Sequence, residues 1–85
     1  MTDKDYQILF KNSVKKDIKN IGNKILESIF SRIDELKNEP IPNDAIKLKG
    51  SNSLYRIRVG DYRIVYDIEF NKIIITIVML LEVLW

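Results

Sequence analysis

Leu54-Tyr-Arg-Ile-Arg-Val-Gly-Asp-Tyr-Arg-Ile-Val-Tyr-Asp-Ile-Glu69 places alternating apolar and charged side chains around Gly60-Asp61. Strict alternation is the mark of a half-buried strand, and Gly-Asp between two such runs is a two-residue hairpin turn. With Gly60 and Asp61 at its centre, Val59 faces Tyr62, Arg58 faces Arg63, Ile57 faces Ile64 and Tyr55 faces Tyr66. Residues directly opposite share a face of the sheet. One face is therefore apolar, and the other carries Arg56, Arg58 and Arg63. Like charges opposite one another destabilise a sheet by about 0.2–1 kcal/mol, so their presence points to use rather than to folding.

A third strand follows. The isoleucine-rich run from Ile73 predicts a partner for Tyr62–Glu69 across a turn centred on Phe70 and Asn71. That turn sets Glu69 opposite Lys72, Tyr66 opposite Ile75 and Arg63 opposite Val78. Met79 then points to the core and Leu80 emerges among the arginines. Upstream, Tyr6–Phe10 reads as an opening strand of the same sheet, and Asn12 or Ser13 as the cap of a helix carrying Val14, Ile18 and Ile21. A second helix from Asn23 presents Ile25, Leu26, Ile29, Phe30, Ile33 and Leu36 as an apolar stripe. Asn38-Glu39-Pro40 stops it, because proline cannot continue the hydrogen-bonding and its predecessor avoids helical angles. Pro40–Ile46 reads as an extended crossing. The only surface able to cover the helices is the sheet face of Tyr55, Ile57, Ile64, Tyr66, Ile68, Ile73, Ile75 and Ile77.

Composition narrows the chemistry. Eighty-five residues make one domain, residues 1–85, with a single core. Without cysteine or histidine there is no disulfide, no thiolate metal site and no imidazole acid or base, so neither a metal nor a cofactor is expected. No signal peptide or bilayer-spanning run is evident, and a soluble, cytoplasmic protein away from membranes is expected. Charge is uneven. From Ile46 to Tyr66 five bases (Lys47, Lys49, Arg56, Arg58 and Arg63) stand against Asp61 alone, in a chain of net charge +2. A local basic patch with tyrosines nearby suits a polyanion such as RNA.

These elements also resemble a known family. The order strand, helix, helix, three strands resembles the RelE/ParE superfamily of toxins from toxin–antitoxin systems, and in particular its RelE-type branch. The similarity rests on Ala45-Ile-Lys-Leu-Lys-Gly50, on Leu54–Tyr66 and on the isoleucine-rich strand after Asn71, and it runs to about Val78. It implies an α+β fold with a helical hairpin packed on one face of a small antiparallel sheet. It further implies a toxin that enters the ribosomal acceptor site and cleaves mRNA without metal, held inactive by a RelB-like cognate antitoxin.

Such cleavage needs little from the protein: the 2′-hydroxyl attacks the neighbouring phosphate, and fixed cations stabilise the phosphorane. On the resemblance, Arg63 would stabilise the transition-state phosphate with Arg56 and Arg58 beside it, while Lys47, Lys49, Arg56 and Arg58 would clamp RNA. Arginine cannot serve as a general base near neutrality, which argues against an acid/base role for Arg56 or Arg58. Family members also carry a glycine and a basic segment after the last strand. Here Val78-Met-Leu-Leu-Glu-Val-Leu-Trp85 contains no base, which implies attenuated cleavage and self-association through the apolar C-terminus. The alternatives are a ParE-like poison of DNA gyrase and a catalytically inactive relative that only binds antitoxin.

Overall fold

The computed structural model describes residues 5–83. Their order is β1 (Gln7–Phe10), α1 (Asn12–Ile18), α2 (Asn23–Glu35), β2 (Ile46–Lys47), β3 (Leu54–Val59), β4 (Tyr62–Glu69) and β5 (Ile74–Glu82). The five strands form one sheet in the order β1-β5-β4-β3-β2. β3, β4 and β5 are a meander, and Gly60 supplies the left-handed φ of +57° that the β3–β4 turn demands. The hairpin register is the expected one, with Arg58 opposite Arg63 and Tyr55 opposite Tyr66.

The sheet is not wholly antiparallel, because β1 joins β5 in parallel, Ile8 beside Ile75 and Phe10 beside Ile77. Parallel neighbours need a long crossover, and everything from α1 to β4 lies between these two strands. α1 starts earlier than its polar residues suggest. Asn12 is already helical and Lys11 is the capping position, without a side-chain cap bond. The cause is the sheet: the Lys11 N–H is still bonded to the Ile77 carbonyl at 3.1 Å, and the Lys11 carbonyl accepts the first helical bonds from Val14 and Lys15. α2 begins after an extended Gly22 and ends at Glu35, with Leu36 as its C-cap.

Both helices lie on one face of the sheet, α1 near β5 and α2 near β3. The core joins Val14, Ile29, Ile33 and Leu36 to Tyr55, Ile57, Ile64, Tyr66, Ile68, Ile75, Ile77 and Leu80. Ile25 and Phe30 lie at the margin of the stripe, 46% and 40% exposed. Phe30 nonetheless meets Phe10 edge to face, with ring centroids 6.0 Å apart.

The β4–β5 connection departs from expectation twice. Four residues, Phe70 to Ile73, make the turn, so Glu69 pairs with Ile74 and Tyr66 with Ile77. Ile73 belongs to the turn rather than the core face, at a φ of +58° that a β-branched residue seldom adopts. A shift of two residues preserves the faces, which is why Ile75 and Ile77 are buried as expected. Between Val65 and Tyr66 the register shifts again, Val65 pairing with Met79, which leaves Val78 as the extra residue of a bulge. Facing is thereby reversed: Leu80 is buried and Met79 is 43% exposed. Every residue from Ile77 to Leu81 is apolar, so alternation could not specify this phase.

Tyr66 ties the sheet to the segment after α2. Its ring is fully buried and stacks on Tyr55, and its hydroxyl donates to the Pro40 carbonyl at 2.7 Å. Burial raises its pKa above the ordinary 10.0, opposed in part by the nearby Arg32 charge. Tyr66→Phe is expected to cost about 1–2 kcal/mol by orphaning that carbonyl. The unfolded phenol ionises near pH 10 while the folded one stays protonated, so Tyr66 stabilises the fold below pH 10 and the contribution fades as pH rises above it. Urea denaturation at pH 7 and pH 11 checks both points, since the alkaline fall in stability should be smaller in the variant.

Candidate functional site

The face of the sheet away from the helices is built from cross-strand rows, because opposite residues share a face. Near the β3–β4 turn, one row is Arg58, Arg63 and Leu81. The next is Ile46, Arg56, Val65 and Met79. Farther along come Leu54, Asp67, Thr76 and Leu9, and then Glu69, Ile74 and Gln7. All three arginines therefore sit at one end of the face and both acids at the other. At about 3.3 Å per residue, Arg63 and Asp67 stand roughly 13 Å apart, beyond the Debye length of about 8 Å at physiological salt. The far acids consequently leave the Arg58–Arg63 row positive, while Arg56 stands one row, roughly 7 Å, from Asp67. They also have partners of their own: Ser53 Oγ donates to Asp67 at 2.5 Å, and Lys72 pairs with Glu69 at 3.5 Å.

Arg56, Arg58 and Arg63 line a shallow groove of about 160 Å³ with Asp44, Ile46 and Ile57. Arg58 Nε donates to the Gly60 carbonyl at 2.8 Å, which fixes its side chain beside the turn. Among the described residues, Arg56 and Arg63 form no ion pair. Both are half-buried on a rigid sheet. A guanidinium held this way presents a planar fork of donors at little further entropic cost, the geometry that suits a phosphate. Val65 is only 9% exposed on this open face, in the row between Arg56 and Met79, where long side chains cover it.

The two lysines fall elsewhere. Lys47 pairs with Tyr55 and so belongs to the other face at the sheet edge, leaving Ile46 on the arginine side. Lys49 lies in the β2–β3 connection, beside Gly50 at φ +82° and before Ser51, whose Oγ accepts the N–H groups of Ser53 and Leu54. That is the end of β3 opposite to Arg58. Sequence reasoning missed Asp44, which belongs to the linker but lines the groove; its carboxylate is held by Arg32 of α2. The Pro42-Asn43-Asp44 turn, closed by the Ala45 N–H on the Pro42 carbonyl at 2.9 Å, was the available signal.

A family model described as the ParE toxin of the type II toxin–antitoxin system parDE matches residues 8–82. This chain belongs to the RelE/ParE superfamily of type II toxins. Within it, the named relatives are of RelE type. The chain is 36% identical over 72 residues to toxin RelE3 of Methanocaldococcus jannaschii, covering 80% of this chain and 82% of that protein. It is similar in structure to the RelE of the archaeal RelE–RelB complex from Pyrococcus horikoshii OT3, with a TM-score of 0.82 and 30% identity across 91% of this chain and 93% of that one. The isolated E. coli RelE toxin shares the fold, with a TM-score of 0.84 at 21% identity, covering 94% and 86% of the two chains. The chain is thus a type II toxin of RelE type, and its two helices on a five-stranded mixed sheet are the RelE fold. No helix among the described residues is long and apolar enough to cross a membrane.

Proposed function

We propose that this RelE-type chain acts in the cytoplasm on ribosome-bound mRNA, gripping the RNA backbone with Arg56, Arg58 and Arg63, and that its cleavage is attenuated. The observation that carries this reading is the groove itself, where three arginines converge and the single carboxylate is already engaged by Arg32. Arg63 stands at the centre of its row and is the candidate for stabilising the phosphorane. Lys49, at the far end of β3, would meet a phosphate farther along the RNA backbone. Lys47 contributes only general positive charge.

Attenuation follows from β5. Beside Arg63 the last strand offers Leu81, and along the next row Met79, 45% and 43% exposed. The Val83 N–H bonds the Asp61 carbonyl at 2.6 Å, which keeps the strand against the hairpin with apolar residues where a second cation would be needed. Met79 and Leu81 also favour self-association at high concentration. Leu84 and Trp85, part of the same expectation, lie outside the described residues.

An antitoxin of RelB type fits this surface. Relatives have been crystallised with RelB, and a flexible acidic and apolar segment would cover the arginines together with Met79 and Leu81. Two measurements test the reading. Titration calorimetry with a RelB-type partner is expected to show an affinity with a salt-sensitive and a salt-insensitive part, and no binding at low salt would remove the antitoxin from the account. On programmed ribosomes, the chain is expected to bind and to cut mRNA weakly inside codons. DNA damage without mRNA cuts would instead favour action on gyrase, and tight antitoxin binding with neither effect would leave a protein that only titrates antitoxin.

A further inference from the structure

We infer that Arg32 is a positioning residue that keeps the arginine groove open to phosphate by engaging the Asp44 carboxylate, which would otherwise compete for the groove's guanidiniums. The inference rests on the proposed phosphate-binding role of that groove. Asp44 is the one acid among the residues lining the groove. Its carboxylate is an internal competitor for the same guanidinium forks that would take a phosphate oxygen. Arg32 reaches it from the helix side of the sheet, where it lines a second hollow with Ser31, Glu35 and Arg58. The side chain that binds Asp44 is therefore anchored on a different element and outside the groove.

Three features make this a built arrangement. Arg32 is the more enclosed partner, its side chain 25% exposed against 53% for Asp44. Its Nε is buried without a hydrogen-bond partner, with Glu35 at 3.9 Å, so the guanidinium is directed at Asp44 at the expense of one of its own donors. The segment carrying Asp44 is pinned at both ends, by the Tyr66 hydroxyl on Pro40 and by the pairing of Ile46 with Arg56. A pair this exposed contributes little to folding. Its consequence is the placement of one negative charge, which lines the groove yet is paired with Arg32 rather than with Arg56 or Arg63.

A double-mutant cycle tests this, with a short single-stranded RNA methylated at every 2′-hydroxyl as a probe that binds without being cut. Arg32→Met keeps the stem and releases Asp44, and should weaken binding about three- to tenfold. Asp44→Asn should strengthen it by a similar factor. The double variant should lie within about twofold of Asp44→Asn, because Arg32 has nothing left to restrain. Equal weakening by Arg32→Met in both backgrounds would overturn the inference, since Arg32 would then touch RNA or support the fold directly. Weaker binding by Asp44→Asn would overturn it as well. A readout without RNA separates this from failure of the RNA reading. In the free protein, the Arg56 and Arg63 side-chain N–H resonances should shift in Arg32→Met and return in the double variant. Should the wild-type chain bind no RNA, the proposed function falls, and these resonances still decide whether Arg32 restrains Asp44; unmoved resonances in Arg32→Met would show that it does not.

Discussion

Arg63→Ala is expected to abolish residual mRNA cleavage and growth inhibition while leaving the fold intact. Arg63 stands opposite Arg58 on one side and Leu81 on the other, and it has no acidic partner among the described residues. Loss of one preorganised charged donor to a transition-state phosphate costs on the order of 100-fold or more in rate. Two smaller effects on stability oppose each other. Repulsion with Arg58 is relieved, and the apolar stem that covers neighbouring residues is lost. The net change should stay within about 0.5 kcal/mol, as for substitutions away from the core. Ribosome-programmed cleavage and a melting curve on the same preparation check both parts. A strongly lowered melting temperature would make Arg63 a structural residue.

The second large effect is a gain. Inserting Gly-His-Arg before Glu82 places a histidine two residues beyond Leu81, on the face of the residue that already stands opposite Arg63, with an arginine next to it. If cleavage is weak because only one end of the phosphate is met by cations, the insertion should raise the single-turnover rate on programmed ribosomes by on the order of 100-fold. Binding of uncut RNA should change far less, because Arg56, Arg58 and Arg63 are already in place. Full activity in the unmodified chain would defeat attenuation and would require Lys47, Lys49 or a tyrosine hydroxyl to do what the missing residues do elsewhere.

Much of this fold could be read because local chemistry and global shape agree. Gly60 dictates a turn, the turn dictates a register, and the register puts Tyr55, Ile57, Ile64 and Tyr66 inward and three arginines outward. What could not be read lay where side chains carry no directional information. The parallel pairing of β1 with β5 is a property of the crossover, and a four-residue stretch such as Gln7–Phe10 looks the same in either direction. The Phe70–Ile73 turn contains no glycine to announce its length. For the groove, clustering in sequence overstated clustering in space: Lys47 turned to the other face by a parity of one, and Lys49 lay a strand's length away. Asp44 was missed because a linker residue acquires chemistry only from what the fold sets beside it.

The bulge at Val78 acts as a parity switch for everything downstream. Ahead of it, odd-numbered positions of β5 face the helices; beyond it, even-numbered ones do. Flattening the bulge at unchanged chain length would exchange Leu80 for Met79 in the core, a swap between side chains of similar volume that a core tolerates, and would deal a different set of side chains to the arginine groove. The terminal segment can thus be re-phased at little cost to folding, so the chemistry presented beside Arg63 is open to change by substitutions that remove the bulge and leave the rest of the molecule undisturbed.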